Sequence, residues 1–122
     1  MDHAILFVGP SKSANVAAAS SAARHRADCH GGDVIRERAA HGVAWHRIRL
    51  LGEEEGRRAN DVIYLPDVDA VHAAALPVLG RRVGRGETAF VLTARSTLRL
   101  PASLLRKCDV VRTEEYGSPR GR

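Results

Sequence analysis

Apolar runs alternate with alanine-rich or amphipathic stretches along this chain, which is the pattern of an α/β protein. The first apolar run, AILFV at residues 4–8, is closed by Gly9 and Pro10. Strands separated by helices favour a mainly parallel five-stranded sheet with helices on both faces, a three-layer arrangement. The predicted strands are residues 4–8, 34–35, 61–65, 88–93 and 110–112.

Helical stretches are predicted between these strands. The first is rich in alanine, and Ser11 or Ser13 can cap its start. The third contains Pro77, which should shorten or kink it, and the basic stretch at residues 80–86 predicts a turn after it. The predicted helices are residues 15–26, 43–55, 68–79 and 101–107.

Three polar segments follow predicted strands, at residues 9–13, 66–69 and 93–96. Because the carboxyl ends of parallel strands meet at one edge of a sheet, we expect these segments to surround a ligand crevice.

Composition limits where and how the protein acts. The 122 residues suffice for one domain, which we place at residues 1–116, with a disordered tail at 117–122. The net charge of +5 favours an acidic partner. Two distant cysteines make no disulfide framework, so the cytoplasm is expected. The apolar runs are too short for a membrane span, so no membrane partner is expected.

The loop after the first strand has the outline of a phosphate-binding P-loop, whose pattern is G-x-x-x-x-G-K-[ST]. Gly9 matches the first glycine, whereas Ala14 stands at the second. Asn15 occupies the lysine position and Val16 the Ser/Thr position. The layout is therefore kept while the residues that bind phosphate and Mg²⁺ are replaced.

Taken together, four stretches make the chain resemble the nucleotide-binding core of AAA+ ATPases. The resemblance is strongest to bacterial DNA polymerase III clamp-loader subunits of the tau/gamma and delta-prime type. The similar stretches are residues 3–10, residues 33–35 with 45–51, residues 61–69, and residues 89–93 with 100–108.

The resemblance implies a P-loop NTPase-like core of the RecA-like kind, without the family's lid and collar domains. It also assigns positions within the motifs. The vestigial nucleotide-binding positions are Gly9, Ser11, Lys12, Ser13 and Asn15, the Walker B relics are Asp67 and Asp69, the sensor position is Thr93, and the arginine-finger position is Lys107.

These departures predict a domain that does not hydrolyse ATP. Asn15, Val16 and Pro66 replace the groups that stabilise charge during phosphoryl transfer. We therefore expect no catalytic residue, no metal and no cofactor, with ATP or Mg²⁺ as the alternative. The resemblance implies a stator or accessory subunit in DNA replication, bound to clamp-loader subunits or to another replication ATPase or clamp.

Two other functions remain open at this stage. The first is a P-loop NTPase or kinase that uses Lys12 and Asp67 in unusual ways. The second is a basic module that contacts the DNA backbone. The basic residues assigned to a partner or to DNA are Arg81, Arg82, Arg85 and Arg106, and Arg95, Arg99 and Lys107 lie in the next loop and helix.

The remaining polar candidates have simpler interpretations. Asp69 is expected to cap the helix after it, with Asp67 in the turn. A zinc site at His25, Cys29 and His30 lacks a complete set of four ligands. Packing in the core is predicted for Trp45 and Cys108.

Overall fold

A computed structural model describes residues 4–36, 60–71, 73–85 and 88–113 of the chain. The strands are β1 (Ala4–Val8), β2 (Val34–Arg36), β3 (Val62–Leu65), β4 (Ala89–Ala94) and β5 (Asp109–Arg112). The α-helices are α1 (Lys12–His30), α2 (Leu76–Gly84) and α3 (Ala102–Leu105), and two 3-10 helices span Val68–Ala70 and Ala73–Ala75.

The five strands form one sheet in the order β2-β3-β4-β1-β5, and every pairing is parallel. This confirms the predicted α/β fold with a parallel five-stranded sheet. The strands β3, β4 and β1 are neighbours, so the loops at their carboxyl ends lie side by side. That edge of the sheet is where the candidate site is found.

Side chains alternate between the two faces of the sheet, as the two-residue period of a strand requires. Leu6 and Leu92 belong to the core on one face, and Phe7 and Val91 to the core on the other. Helix α1 covers the second face with Ala19, Ala23 and Ala27. The first face is covered by α2 and α3 through Leu76, Leu79, Val83 and Leu104. The three predicted layers are therefore present.

Helix α1 is longer than the predicted helix at residues 15–26. Ser11 has an extended backbone, and its Oγ accepts a hydrogen bond from the Ala14 N–H at 3.2 Å, so the helix begins at Lys12. It continues to Gly31, whose φ of 72° gives the left-handed conformation that ends a helix. Residues 27–30, which lie beyond the end of the predicted helix, are therefore helical.

The segment from residue 68 to 86 also differs from the prediction. Instead of one helix at residues 68–79, the chain forms two 3-10 helices and then α2. Pro77 lies in the first turn of α2, where a missing N–H costs no hydrogen bond, so it starts a helix rather than kinking one. Most of the predicted basic turn is consequently helical, since α2 runs to Gly84.

Some predictions lie outside the described residues. These are the helix at residues 43–55 with Trp45, and the tail at residues 117–122 with the domain boundary before it. Among the described residues, no helix has the length and apolar character needed to cross a membrane.

Candidate functional site

The three segments predicted to surround a crevice do meet at the carboxyl edge of the sheet. The Gly9 N–H, after β1, donates to the Ala94 carbonyl at the end of β4, at 3.2 Å. The Asp67 N–H, after β3, donates to Thr93 Oγ1 on β4 at 2.9 Å. The short β1–α1 loop is thus fixed to β4, and β4 is fixed to the loop after β3.

Asn15 stands at the P-loop lysine position and points into the protein, with only 2% of its surface exposed. Its Nδ2 donates to the carbonyl oxygens of Gly9 at 2.9 Å and Ala94 at 3.1 Å. Its Oδ1 accepts from the hydroxyl of Thr113, whose N–H donates to Val8 O at 2.9 Å. One buried amide therefore connects the ends of β1, β4 and β5.

The β1–α1 loop has too few residues to surround a phosphate group. It consists of Gly9, Pro10 and Ser11, since α1 begins at Lys12. A backbone nest for phosphate needs a residue in the left-handed region. Among the described residues only Gly31 and Asp67 have a positive φ, so residues 9–15 form no such nest.

Lys12, the charged residue of the β1–α1 loop pattern, forms an ion pair with Asp67. Its Nζ lies 3.2 Å from Asp67 Oδ2, and the two side chains are 56% and 24% exposed. Asp67 itself has a φ of 56°, a left-handed conformation that Asp tolerates better than most residues. Ser11 and Ser13 flank Lys12 in the sequence. Both are exposed, and their hydroxyl oxygens lie 3.2 Å apart.

Thr93, at the sensor position, is buried with 1% of its surface exposed. Its Oγ1 accepts the N–H of Asp67 and so holds the left-handed turn after β3. The hydroxyl is thereby used for internal structure.

Asp69 lies within the 3-10 helix Val68–Ala70 and does not cap it, contrary to the prediction. Its Oδ2 accepts from the N–H of Arg95 at 3.2 Å, and its carbonyl accepts from Arg99 NH1 at 2.7 Å. These contacts join the loop after β3 to the loop after β4. They form one wall of a cleft of about 380 Å³, which is lined by Lys12, Asp67, Asp69, Ala70, Arg95 and Arg99.

The basic residues on the α2–α3 face divide into two groups. Arg82 is 3% exposed and its guanidinium carbon lies 6.0 Å from the centre of the Phe90 ring, so its assignment as a surface contact is wrong. Arg81 on α2, Arg85 directly after it and Arg106 after α3 are exposed. A surface contact by these three stays a prediction.

Lys107, at the arginine-finger position, bonds within its own chain. Its Nζ donates to the carbonyl of Gly80 at 3.3 Å, and the side chain lies against Gly84. A Cβ at Gly84 would approach Lys107 Nζ to 2.7 Å, so the glycine makes room for this side chain.

The cysteines lie apart from the cleft. Cys29 is exposed, with Sγ 3.6 Å from His25 Nε2 one turn earlier on α1. His30 is exposed as well. Cys108 is half-buried and packs against the core on the α2–α3 face.

Two groups of site residues were missed from the sequence. Thr113 carries no motif, and its contact with Asn15 joins residues 98 positions apart. Arg95 lay within a segment predicted to surround the crevice, and Arg99 was grouped with the other basic residues, but neither was assigned to the site. Their position after a strand at the crevice edge was the available signal.

Comparison with known proteins gives relatives in structure only. No family model and no curated protein matches the chain. Its fold is similar to that of Thermotoga maritima RuvB, described as a Holliday junction branch migration motor, with a TM-score of 0.62 at 14% identity, and to the T158V variant of RuvB, with 0.63 at 15%. It is also similar to C. elegans PCH-2, with a TM-score of 0.61 at 14% identity.

These alignments cover 93% of this chain but only 36% of PCH-2 and 37% of each RuvB structure. Identities this low establish the fold alone. The chain therefore has an α/β fold similar to that of RuvB and PCH-2, and spans little more than a third of the length of each of these proteins.

Proposed function

We propose that this domain is a non-hydrolysing AAA+-like module that works through protein–protein contacts. It would act as a stator or accessory subunit on a clamp loader, a clamp or a related replication ATPase. The fold supports the AAA+ part of this proposal, and the sequence resemblance supports the replication part.

The observation that carries the proposal is the buried amide of Asn15. An ATPase needs a flexible cation at this position to neutralise the outer phosphates, and a left-handed glycine before it. Here the side chain is neutral, and it is hydrogen-bonded to Gly9, Ala94 and Thr113. Val16 supplies no hydroxyl for Mg²⁺, and the buried Pro66 supplies no carboxylate.

The rival function, an NTPase that uses Lys12 and Asp67, meets an obstacle in their ion pair at 3.2 Å. Each charge is already compensated by the other. Using the Asp67 carboxylate as a general base or as a metal ligand would require the pair to separate, and a paired Lys12 has no uncompensated charge with which to stabilise the transferred phosphoryl group.

A measurement of ATP hydrolysis distinguishes these two functions. Release of phosphate from ATP with Mg²⁺ should not exceed that of a buffer blank, for the wild type and for Lys12→Ala alike. Hydrolysis by the wild type that disappears in Lys12→Ala would establish the enzyme instead.

The docking part is tested by affinity capture from the native host, followed by mass spectrometry. We expect replication proteins to be enriched. The variant Arg81→Gln with Arg106→Gln, which removes two exposed cations on the α2–α3 face, should reduce that enrichment. Arg24→Gln, on the opposite face of the sheet, serves as the control. Capture of no replication protein would contradict the proposal.

A DNA-binding module is the second candidate, because Arg81 and Arg85 lie one helical turn apart and are both exposed. It predicts DNA binding that weakens steeply with salt and is reduced by Arg81→Ala. Binding that does not change with salt would exclude it.

A further inference from the structure

We infer that the cleft at the carboxyl edge of the sheet binds a phosphate group through the side chains of Arg95, Arg99 and Lys12, without a P-loop and without Mg²⁺. The inference goes beyond the proposed function and does not depend on it, since binding a phosphate here requires neither hydrolysis nor a protein partner.

The two arginines supply cationic donors that the described protein does not use. Arg95 is exposed, and only its backbone N–H is bonded, to Asp69. Among the described residues, its guanidinium has no acceptor. Arg99 uses NH1 for the Asp69 carbonyl, at 2.7 Å, and its other N–H groups have no acceptor in the same part of the chain. Both side chains line the cleft.

The carboxylates that line the cleft already have partners. Asp67 Oδ2 pairs with Lys12, and Asp69 Oδ2 accepts the Arg95 N–H. Among the described residues that line the cleft, three cations face two carboxylates, which leaves these six side chains with a formal excess of one positive charge. A phosphodiester, with one negative charge, would balance that excess.

The arrangement of the cations favours phosphate over a planar carboxylate. Lys12 belongs to the start of α1, whereas Arg95 and Arg99 belong to the loop after β4, so the donors come from separate segments of chain. A tetrahedral phosphate offers oxygens in several directions, and guanidinium groups match it particularly well. The cleft volume of about 380 Å³ is ample for such a group.

The loop that carries the arginines is held in place before any ligand arrives. Leu100 is buried in the core, and its N–H donates to Thr97 O at 3.0 Å. The Leu98 N–H donates to Ser96 Oγ at 3.1 Å. A fixed loop loses little conformational entropy on binding, which favours affinity.

The test measures probe binding with EDTA present and repeats it with Mg²⁺ in place of EDTA, and poly-glutamate serves as a polyanion without phosphate. Fluorescence anisotropy of a fluorescein-labelled single-stranded oligodeoxynucleotide reports the nucleic-acid backbone, and titration calorimetry with sodium pyrophosphate reports free phosphates. Arg95→Gln should weaken binding about tenfold, the effect of losing one charged hydrogen bond. Arg24→Gln removes the same charge from an exposed position on α1 and should change binding less than about twofold.

Binding of both probes, or of either one alone, with loss in Arg95→Gln supports the inference, and the probe that binds identifies the source of the phosphate. Equal losses in Arg95→Gln and Arg24→Gln would overturn it, because they would indicate general charge attraction. The inference would also be overturned if neither probe showed saturable binding at millimolar concentration, or if binding appeared only with Mg²⁺. Binding of poly-glutamate but of neither phosphate probe would overturn it as well. None of these outcomes depends on ATP turnover or on capture of a partner.

Discussion

Replacing Asn15 by alanine tests most directly whether this side chain, which stands at the lysine position of the P-loop pattern, stabilises the fold. The substitution removes a 2% exposed amide that bonds to Gly9, Ala94 and Thr113. Two of those partners keep another bond. Ala94 O still accepts the Gly9 N–H at 3.2 Å, and the Thr113 hydroxyl still lies 3.3 Å from Val8 O.

The Gly9 carbonyl is the group that loses its partner. Leaving a buried acceptor unsatisfied costs about 1 to 3 kcal/mol, and the small cavity adds about 1 kcal/mol. Alanine regains about 0.5 kcal/mol as the better helix former. We therefore expect Asn15→Ala to lower the free energy of unfolding by about 1.5 to 3.5 kcal/mol, a large fraction of the roughly 5 to 15 kcal/mol typical of a domain.

Urea denaturation followed by far-UV circular dichroism measures this change. Asn60→Ala makes the same substitution at an exposed position and should stay within about 0.5 kcal/mol of the wild type. If the two variants are equally stable, the buried amide does not stabilise the fold and the reasoning is refuted.

Asn15→Lys restores the lysine of the motif and sharpens the test. The new ammonium group would be buried beside the ends of three strands, so the loss of stability should exceed that of Asn15→Ala. The variant should not gain ATP hydrolysis, because residues 9–15 still lack a left-handed residue. A gain of Mg²⁺-dependent turnover would show that the loop adapts readily to phosphate.

Three further substitutions test the packing around the site, each by urea denaturation. Ala23→Leu should lower the free energy of unfolding by about 1 to 3 kcal/mol, because the larger side chain forces α1 away from the sheet. Ala17→Leu, on the exposed side of α1, should leave the stability nearly unchanged, and equal effects of the two substitutions would contradict the packing. Arg82→Gln should lower the free energy of unfolding by about 1 to 2 kcal/mol through lost packing, whereas Arg81→Gln should leave it almost unchanged. A larger loss in Arg81→Gln than in Arg82→Gln would contradict this. Thr93→Val keeps the shape of the side chain but leaves the loop after β3 without its hydrogen bond, so about 1 to 2 kcal/mol should be lost, and an unchanged stability would contradict this.

The strands were predictable because a buried parallel strand needs a continuous apolar run, and the runs at residues 4–8, 61–65 and 88–93 have no other explanation at that length. Local chemistry explains the corrections. The motif placed the helix start near Asn15, but Ser11 is a good cap and comes earlier in the chain. Pro77 was interpreted as a helix breaker, although the first turn of a helix accepts it.

The orientation of Asn15 was beyond prediction from the sequence, because its partners Ala94 and Thr113 lie 79 and 98 residues away. Only the order of the strands brings those partners together. The same holds for the cleft, where Lys12 and Arg99 meet through the adjacency of β1, β4 and β3.

Strand ends at the carboxyl edge of a parallel sheet present carbonyl groups that must find donors when they are buried. In this chain Asn15 supplies the donors for Gly9 and Ala94. A P-loop at this place would need a lysine at position 15, a glycine before it, a hydroxyl after it and a longer loop. The lysine would remove the Asn15 amide and the longer loop would remove the Ser11 cap, so two present contacts would be lost before any P-loop contact with phosphate is gained. The Asn15 amide and the Ser11 cap therefore stabilise a loop that differs from a P-loop, and cations outside this loop, such as Arg95 and Arg99, remain the ones available to an anion.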